Sequence, residues 1–270
     1  MTDAANEYRQ QATADAERWA GSASPALARE LFALLAVLDE NGPVRRALVD
    51  PSYSGEQRSQ VVRRLFTGKV SPDAVEIVAT MTGRRWGDDR EFADGLEHAG
   101  VVLTAASAEN RGGLEGIEQV VDQLIAFKTV LDGSHELQRA LSDPRADVAS
   151  KTQLTRRLSP GASEEALLLL EQAVLSPRGA LVGRLVERFA EEVAARRQRW
   201  IAHVSASRPL SDEQRARLQH QLNTLYGKDL KLTVDVDPAL NGGLKVQVGE
   251  EVIDGSVAAR LDALRQRIGA

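Results

Sequence analysis

The strongest constraint on the fold is an internal repeat with a period of about 93 residues. Val37–Pro51 aligns with Val130–Pro144, and eight of the fifteen residue pairs are identical, where roughly one identity is expected from ordinary residue frequencies. In the same register, Arg63–Leu65 aligns with Arg156–Leu158. This period is too long for a solenoid repeat and has the length of a whole small domain. The repeat therefore predicts two successive copies of one module.

Each copy has the residue pattern of a helical bundle. Ala and Leu are plentiful and aromatic residues make up only 4% of the chain, a composition that favours helices because small and straight side chains lose little freedom there. Helix starts are predicted where capping residues precede apolar periodic stretches, namely at Ser24, Ser54 with Gln57, Ser71 and Asp88. Arg111-Gly112-Gly113 favours a break between the copies, and a long helix over about Ala180–Trp200 closes the second one.

The last seventy residues change from helical periodicity to alternation. Leu230–Val236 and Leu244–Val248 alternate apolar and polar residues, as strands with one buried face do. A strand candidate at Ile201–Ala206 and a helix capped by Ser211 precede them, and a short strand and a final helix follow. This order predicts a small α+β domain.

The predicted fold class is therefore mainly α, with two tandem helical bundles followed by a small α+β C-terminal domain. The predicted domains are residues 1–105, an extra copy of the bundle; residues 106–200, the second bundle; and residues 201–270, the mixed domain.

The residue inventory argues against an enzyme. The chain has no Cys, which excludes thiolate metal sites and Cys nucleophiles. Its four His residues form no metal-binding pair of the usual spacing, and there is no phosphate-binding loop with a following Lys. We predict no catalytic residue, no cofactor and no metal. Paired acids at Asp88-Asp89, Glu164-Glu165 and Glu191-Glu192 are interpreted as helix-dipole partners or solvated faces.

Charge and hydropathy limit the partners. The net charge of −5 disfavours nucleic acid, whose binding needs a basic surface. The longest strictly apolar run, Leu31–Leu38, falls far short of the roughly 20 residues of a membrane span, so no direct membrane insertion is expected. Arg196, Arg197 and Arg199 form a basic cluster that fits either a solvated helix end, which we favour, or a binding patch.

One segment between the alternating strands is distinctive. It runs from Asp237 through Leu240 to the glycine pair Gly242-Gly243 at the start of a strand. Two adjacent glycines indicate positive φ or a close backbone approach. No helix and no Lys-Ser or Lys-Thr follows, which argues against a phosphate site, and Ala239 occupies a position where a calcium loop needs an acidic or amide side chain.

This segment resembles the signature of the delta subunit of F-type ATP synthases, the family that includes the oligomycin-sensitivity-conferring protein of mitochondria. An alternating strand, an acidic residue, an aliphatic residue and a glycine pair follow one another as in that family. The residues that carry the resemblance are Asp237, Leu240, Gly242, Gly243, Asp254, Gly255 and Ser256. Residues 106–200 resemble the family's N-terminal bundle, whereas residues 1–105 are an addition typical of the long actinobacterial form.

The resemblance implies a non-catalytic stator subunit in the peripheral stalk, which links the catalytic head to the membrane-anchored b stalk and resists rotor torque during ATP synthesis. It implies the alpha subunits of the head as partners, with the beta subunits as a further option, and the b subunit of the stalk. The implied location is the cytoplasmic face of the cell membrane, as a peripheral protein. The alternative that shares every feature except the signature is a general helical adaptor or scaffold unrelated to ATP synthase.

Overall fold

A computed structural model describes residues 2–227, 230–237, 240, 242–249 and 251–254. The chain divides into two compact units, Met1–Ala194 and Ala195–Ala270. The first is helical and the second is built on a sheet, which confirms the predicted fold class. The finer division of the helical part at residue 105 stays a prediction.

The α-helices of the helical part are α1 Thr2–Ala16, α2 Pro25–Glu40, α3 Gly42–Ala47, α4 Gly55–Phe66, α5 Pro72–Gly83, α6 Asp89–Asp132, α7 His135–Ser142, α8 Val148–Leu158, α9 Glu164–Leu175 and α10 Val182–Ala195. Four of them, α2, α4, α5 and α6, begin directly after the predicted capping residues. Short 3-10 helices, Glu17–Ser22 and Arg196–Trp200, follow α1 and α10. The predicted long helix over 180–200 is thus α10 continued by a tighter turn.

The predicted capping side chains are in place. Ser54 and Gln57 form a reciprocal capping box, in which the Gln57 backbone N–H donates to Ser54 Oγ at 3.2 Å and the Ser54 backbone N–H donates to Gln57 Oε1 at 2.8 Å. Ser24 accepts from the backbone N–H of Leu27, and Asp88 accepts from that of Glu91. These bonds satisfy backbone donors that a helix leaves free in its first turn.

Helix α6 passes through the predicted boundary between the copies and is kinked beyond it. Gly112 and Gly113 have non-helical backbone angles, with φ of 59° and ψ of −138° at Gly113, a conformation open to glycine and strained for other residues. The break predicted at Arg111-Gly112-Gly113 is therefore a kink, with helix on both sides. The repeat aligns the first half of α6 with α1, which lies about 93 residues earlier, and with α10, which lies about 93 residues later.

The two copies share hydrogen bonds as well as residues. Asp50 Oδ1 accepts from the backbone N–H of Ser52 at 2.8 Å, and Asp143 Oδ1 accepts from that of Arg145 at 2.8 Å. These bonds fold the Asp-Pro turn before α4 and the Asp-Pro turn before α8 in the same way. Local side-chain bonds of this kind define a turn, so the sequence repeat is also a structural repeat.

The second unit is a four-stranded mixed sheet with a helix. Strands β1 Ile201–Ala206, β2 Lys231–Val236, β3 Leu244–Val248 and β4 Glu251–Asp254 lie in the order β2-β1-β3-β4, and α11 Asp212–Tyr226 connects β1 to β2. Strand β1 is parallel to β2 and antiparallel to β3. Its core consists of Ala202, Val204, Leu222, Leu230, Val246 and Val248. The predicted final helix lies outside the described residues.

Candidate functional site

The first part of the predicted signature, from Asp237 to Gly243, lies in the connection between β2 and β3. Strands β2 and β3 flank β1, and Ala206, the last residue of β1, is paired with Val236 on one side and Leu244 on the other. The chain between those two residues must therefore cross the end of β1. The described residues of this crossing, Asp237, Leu240, Gly242 and Gly243, belong to the segment that the sequence singled out.

Backbone bonds and two positive φ angles shape the crossing. The backbone N–H of Asp237 donates to the carbonyl oxygen of Ala206 at 2.8 Å, which extends the parallel pairing by one residue. The backbone N–H of Leu240 then donates to the carbonyl oxygen of Asp237 at 3.2 Å, which closes a turn. Gly242 and Gly243 have φ of 114° and 86°, values that side-chain-bearing residues rarely adopt. The glycine pair therefore turns the chain into β3.

The structure brings most of the signature to one end of the sheet. Asp254, the last residue of β4, is in register with Lys245, next to the first residue of β3. Asp254 thus lies at the same end as the crossing. Gly255 and Ser256 lie outside the described residues. That these residues act as a structural signature remains a prediction, although the backbone of the crossing gives a physical reason for the two glycines.

The described residues contain no arrangement that suggests catalysis or metal binding. No group of three or more His, Asp or Glu side chains that could hold a metal occurs among them. His98, on α6, has both ring nitrogens engaged, with Thr13 at 2.8 Å and Glu192 at 2.9 Å. None of the helices in the described ranges is long and apolar enough to cross a membrane.

One of the paired acids, Glu192, behaves differently from the prediction. Asp88 caps α6 and Glu165 lies in the first turn of α9, as helix-dipole partners do, although the side chain of Glu165 is only 3% exposed. Glu192 lies late in α10 with a side chain only 9% exposed, so it is neither a dipole partner nor part of a solvated face. Glu165 accepts from Ser107 and Arg111, whose bonds cross between helices. The interpretation was wrong for Glu192 because its partners include His98 and Arg9, which are far away in the sequence, where local periodicity carries no information.

The arginines of the basic cluster after α10 differ in their exposure to solvent. Arg196 is 8% exposed, so the favoured interpretation of a solvated helix end is wrong for this residue. Arg197 is exposed, whereas the side chain of Arg199 is outside the described set. The cluster therefore does not form one continuous basic face across Arg196 and Arg197.

Equivalent apolar side chains are exposed in the two copies. Val37 on α2 and Val130 on α6 are aligned in the repeat, and they are 45% and 44% exposed. Single exposed apolar residues are ordinary on protein surfaces. Their equivalence matters because it provides matched reporter positions on the two copies.

Comparison with known sequences decides the family. The sequence profile described as "ATP synthase delta (OSCP) subunit" matches residues 99–268, more than half of the chain. The chain belongs to this family. The match begins within the first half of α6 and extends through the second copy and the sheet unit.

Relatives named "ATP synthase subunit delta" match at least nine tenths of the chain. The protein from Kocuria rhizophila is 52% identical over 270 residues, covering 100% of both chains. That from Pseudarthrobacter chlorophenolicus is 46% identical over 273 residues and 99% of both chains, and that from Streptomyces avermitilis is 36% identical over 90% of this chain and 89% of its own. The family membership thus holds for residues 1–98 as well, which the profile leaves unmatched.

A solved structure is also similar. A chain of the mitochondrial ATP synthase hexamer of Toxoplasma gondii is 23% identical, covers 63% of this chain and 95% of its own, and gives a TM-score of 0.32. At that TM-score the likeness supports no conclusion about the fold.

Family membership fixes the general role. The chain is a non-catalytic subunit of ATP synthase, a stator component of the peripheral stalk, and it is peripheral at the membrane. It takes part in ATP synthesis coupled to proton transport. The general adaptor unrelated to ATP synthase is therefore excluded.

Proposed function

We propose that this subunit ties the catalytic head to the b stalk through two different surfaces. The helical copies bind N-terminal helical extensions of the alpha subunits, and the sheet unit binds the end of the b stalk. The observation that carries the proposal is the division into a helical unit and a sheet unit in a chain whose family is a stator subunit. A stator needs slow dissociation rather than chemistry, and two surfaces on one chain provide it by keeping each partner near the other.

The second copy is the better candidate for the alpha extensions. The family profile covers residues 106–200 completely, because the match extends from residue 99 through α10. Helical bundles offer grooves to amphipathic partner helices. We propose that the first copy adds a further contact with the head, so that the subunit dissociates from the head only when the contacts of both copies are broken.

The absence of Cys makes a mapping experiment direct. Single cysteines are placed at Val37, Val130 and Val236, which are 45%, 44% and 48% exposed, and each carries a photoreactive cross-linker. After reconstitution with the head and stalk, mass spectrometry identifies the partner of each position. The unsubstituted chain is the control, since it takes no label.

We expect cross-links to alpha from Val130→Cys and Val37→Cys, and to the b subunit from Val236→Cys. Cross-links to alpha from Val130→Cys alone would remove the proposed role of the first copy. Links from the helical positions to b and from the sheet position to alpha would overturn the proposal.

Deleting residues 1–105 is a poor substitute for this experiment. The cut removes the first half of α6, including Glu97, which contacts both Arg188 of α10 and Gln172 of α9. Loss of binding in the shortened chain would then reflect damage to the second copy. Point substitutions in the full chain avoid this ambiguity.

A further inference from the structure

A buried carboxylate lies at the centre of the helical unit. Glu97 on α6 is 3% exposed. One of its oxygens is bonded to the guanidinium of Arg188 on α10, and the other lies 3.4 Å from Nε2 of Gln172 on α9. Removing a carboxylate from water is costly unless the partners are well placed. The position of α10 against α6 is therefore coupled to the charge of one side chain.

The polar contacts continue from Arg188 towards α1. Arg188 Nε lies 3.6 Å from Glu192 Oε1, one turn later on α10. The other oxygen of Glu192 is 2.9 Å from His98 Nδ1, and His98 Nε2 is 2.8 Å from Thr13 Oγ1. Arg9 of α1 approaches Glu192 at 3.8 Å. These contacts therefore connect α1, α6 and α10.

On the other side, Arg178 in the loop after α9 binds two acids. Its Nη2 is 2.9 Å from Asp94 Oδ1 on α6, and its Nε is 3.2 Å from Asp39 Oδ2 on α2. Arg178 itself has a φ of 49°, a conformation that costs free energy for a residue with a side chain. We call the whole set, centred on Glu97, the α6 polar layer.

The layer is incompletely hydrogen-bonded. Arg188 Nε, Arg178 Nη1 and Asp39 Oδ2 are buried atoms without a hydrogen-bond partner among the described residues. Arg188 Nε lies 3.6 Å from Glu192 Oε1, which is beyond hydrogen-bond distance, and Arg178 Nε lies 3.2 Å from Asp39 Oδ2 without the direction of a hydrogen bond. Buried polar atoms are nearly always bonded, so these three unbonded atoms make the packing around Glu97 more costly than that of a fully bonded core.

We propose that Glu97 is a proton-linked latch that sets how firmly α10 is held against α6. Uptake of a proton removes the buried charge, while the hydrogen bond with Gln172 can be kept. Arg188 is not stranded by the change because Glu192 stays within 3.6 Å. The charged groups that act on Glu97 directly are Arg188 from α10 and Arg178 from the loop after α9. The charged and titratable groups linked to it through further contacts are Glu192 from α10, Arg9 from α1, and Asp94 and His98 from α6 itself.

The direction of the linkage follows from burial. Desolvation raises the pKa of Glu97, and the attraction of Arg188 and Arg178 opposes this shift only in part. A carboxyl group with a raised folded-state pKa binds its proton more tightly in the closed structure than in the open one. The closed arrangement therefore gains stability as pH falls through that pKa, and α10 becomes looser as pH rises above it.

Hydrogen exchange of the full-length protein tests the latch. Exchange of α10 amides is followed by mass spectrometry from about pH 4.5, near the ordinary pKa of a Glu side chain, up to about pH 7.5 and corrected for the intrinsic rates. In the wild type we expect protection of α10 to be several-fold greater at the lower pH, since one pKa unit corresponds to about a tenfold change. In Glu97→Gln the protection should be high and independent of pH.

Glu191→Gln is the matched control, because Glu191 is exposed on the same helix and should keep the wild-type pH dependence. Equal pH dependence in Glu97→Gln and the wild type would overturn the proposal. If Glu97→Gln does not fold, the wild type alone still decides: α10 protection that is flat with pH, or that falls as pH is lowered, rejects the latch. Neither readout depends on the proposed partners, so this test stands apart from that of the stator contacts.

Discussion

Gly116 packs against the backbone carbonyl of Ala108 across the kink in α6, so closely that a Cβ atom at Gly116 would overlap the carbonyl oxygen. Because that oxygen belongs to the backbone, it cannot move aside as a flexible side chain could. The kink thus depends on two glycines for different reasons, Gly113 for its backbone angles and Gly116 for space.

We therefore expect Gly116→Ala to lower the free energy of unfolding by about 1–3 kcal/mol, the usual cost of overpacking. Urea denaturation of the full chain measures this change. Gly21→Ala is the control, since a Cβ there meets nothing within 4 Å, and it should be close to neutral. Equal stability of the two variants would show that the kink relaxes freely.

The buried hydrogen bonds of Arg58 lead us to expect that equivalent substitutions in the two copies change the free energy of unfolding by different amounts. This residue is 6% exposed and donates to the carbonyl oxygens of Asp50, Tyr53, Thr82 and Arg84 at 2.7–3.1 Å. Hydrogen bonds that involve a charged group are worth about 1.5–3 kcal/mol each. We expect Arg58→Met to cost at least about 3 kcal/mol, measured by urea denaturation.

Lys151, the residue aligned with Arg58 in the second copy, supplies the control. Its side chain makes no hydrogen bond or ion pair within the described part of the chain. Lys151→Met should change the free energy of unfolding by no more than about 0.5 kcal/mol, as is usual for such positions. A loss as large as that in Arg58→Met would mean that both copies use this residue as a clamp.

The two serines that cap α5 and α9 lead to a graded prediction. The hydroxyl of Ser71 donates to the carboxylate of Glu30, and that of Ser163 donates to Gln123 Oε1 at 2.9 Å. Each serine also caps its helix. Bonds to an ionised acceptor are the stronger ones, so thermal unfolding should show a larger loss for Ser71→Ala, about 2 kcal/mol, than for Ser163→Ala, about 1 kcal/mol. The reverse order would contradict this explanation.

Substitution of Gly243 tests whether the connection over β1 requires a positive φ at this position. With φ of 86°, a β-branched residue would be strained, and we expect Gly243→Val to destabilise the sheet unit by about 1–3 kcal/mol. Lys245→Val adds the same side chain at an exposed position of β3 and should be tolerated. Hydrogen exchange of β1 and β3 reports on this unit separately from the helices. Unchanged exchange in Gly243→Val would reject the backbone explanation.

Much of the fold could be predicted because its signals are local. The cap at Ser54 with Gln57, the break at Gly112-Gly113 and the alternation over Leu244–Val248 each depend on neighbours within a few residues. The positive φ of the glycine pair was likewise indicated by two adjacent residues. Repetition added long-range information, since a match at about 93 residues identifies equivalent elements without any knowledge of their contacts.

The α6 polar layer could not be predicted because its partners come from distant parts of the chain. Glu97 and Arg188 are 91 residues apart, and His98 and Glu192 are 94 apart. In the sequence, Glu97 stands beside polar His98 and looks like part of a solvated face. Only the packing of α9 and α10 on α6 reveals that this carboxylate is buried.

The position of the first half of α6 has a consequence for how such a chain can grow or shrink. That half-helix corresponds to the last helix of one copy and to the first helix of the next. Neighbouring copies therefore share one helix, and neither copy can be removed without removing part of the other. A third copy, inserted at the same period, would add one helix fewer than the first copy has, because it would share a helix with its neighbour. Removal of any copy would remove a helix that packs in the neighbouring bundle.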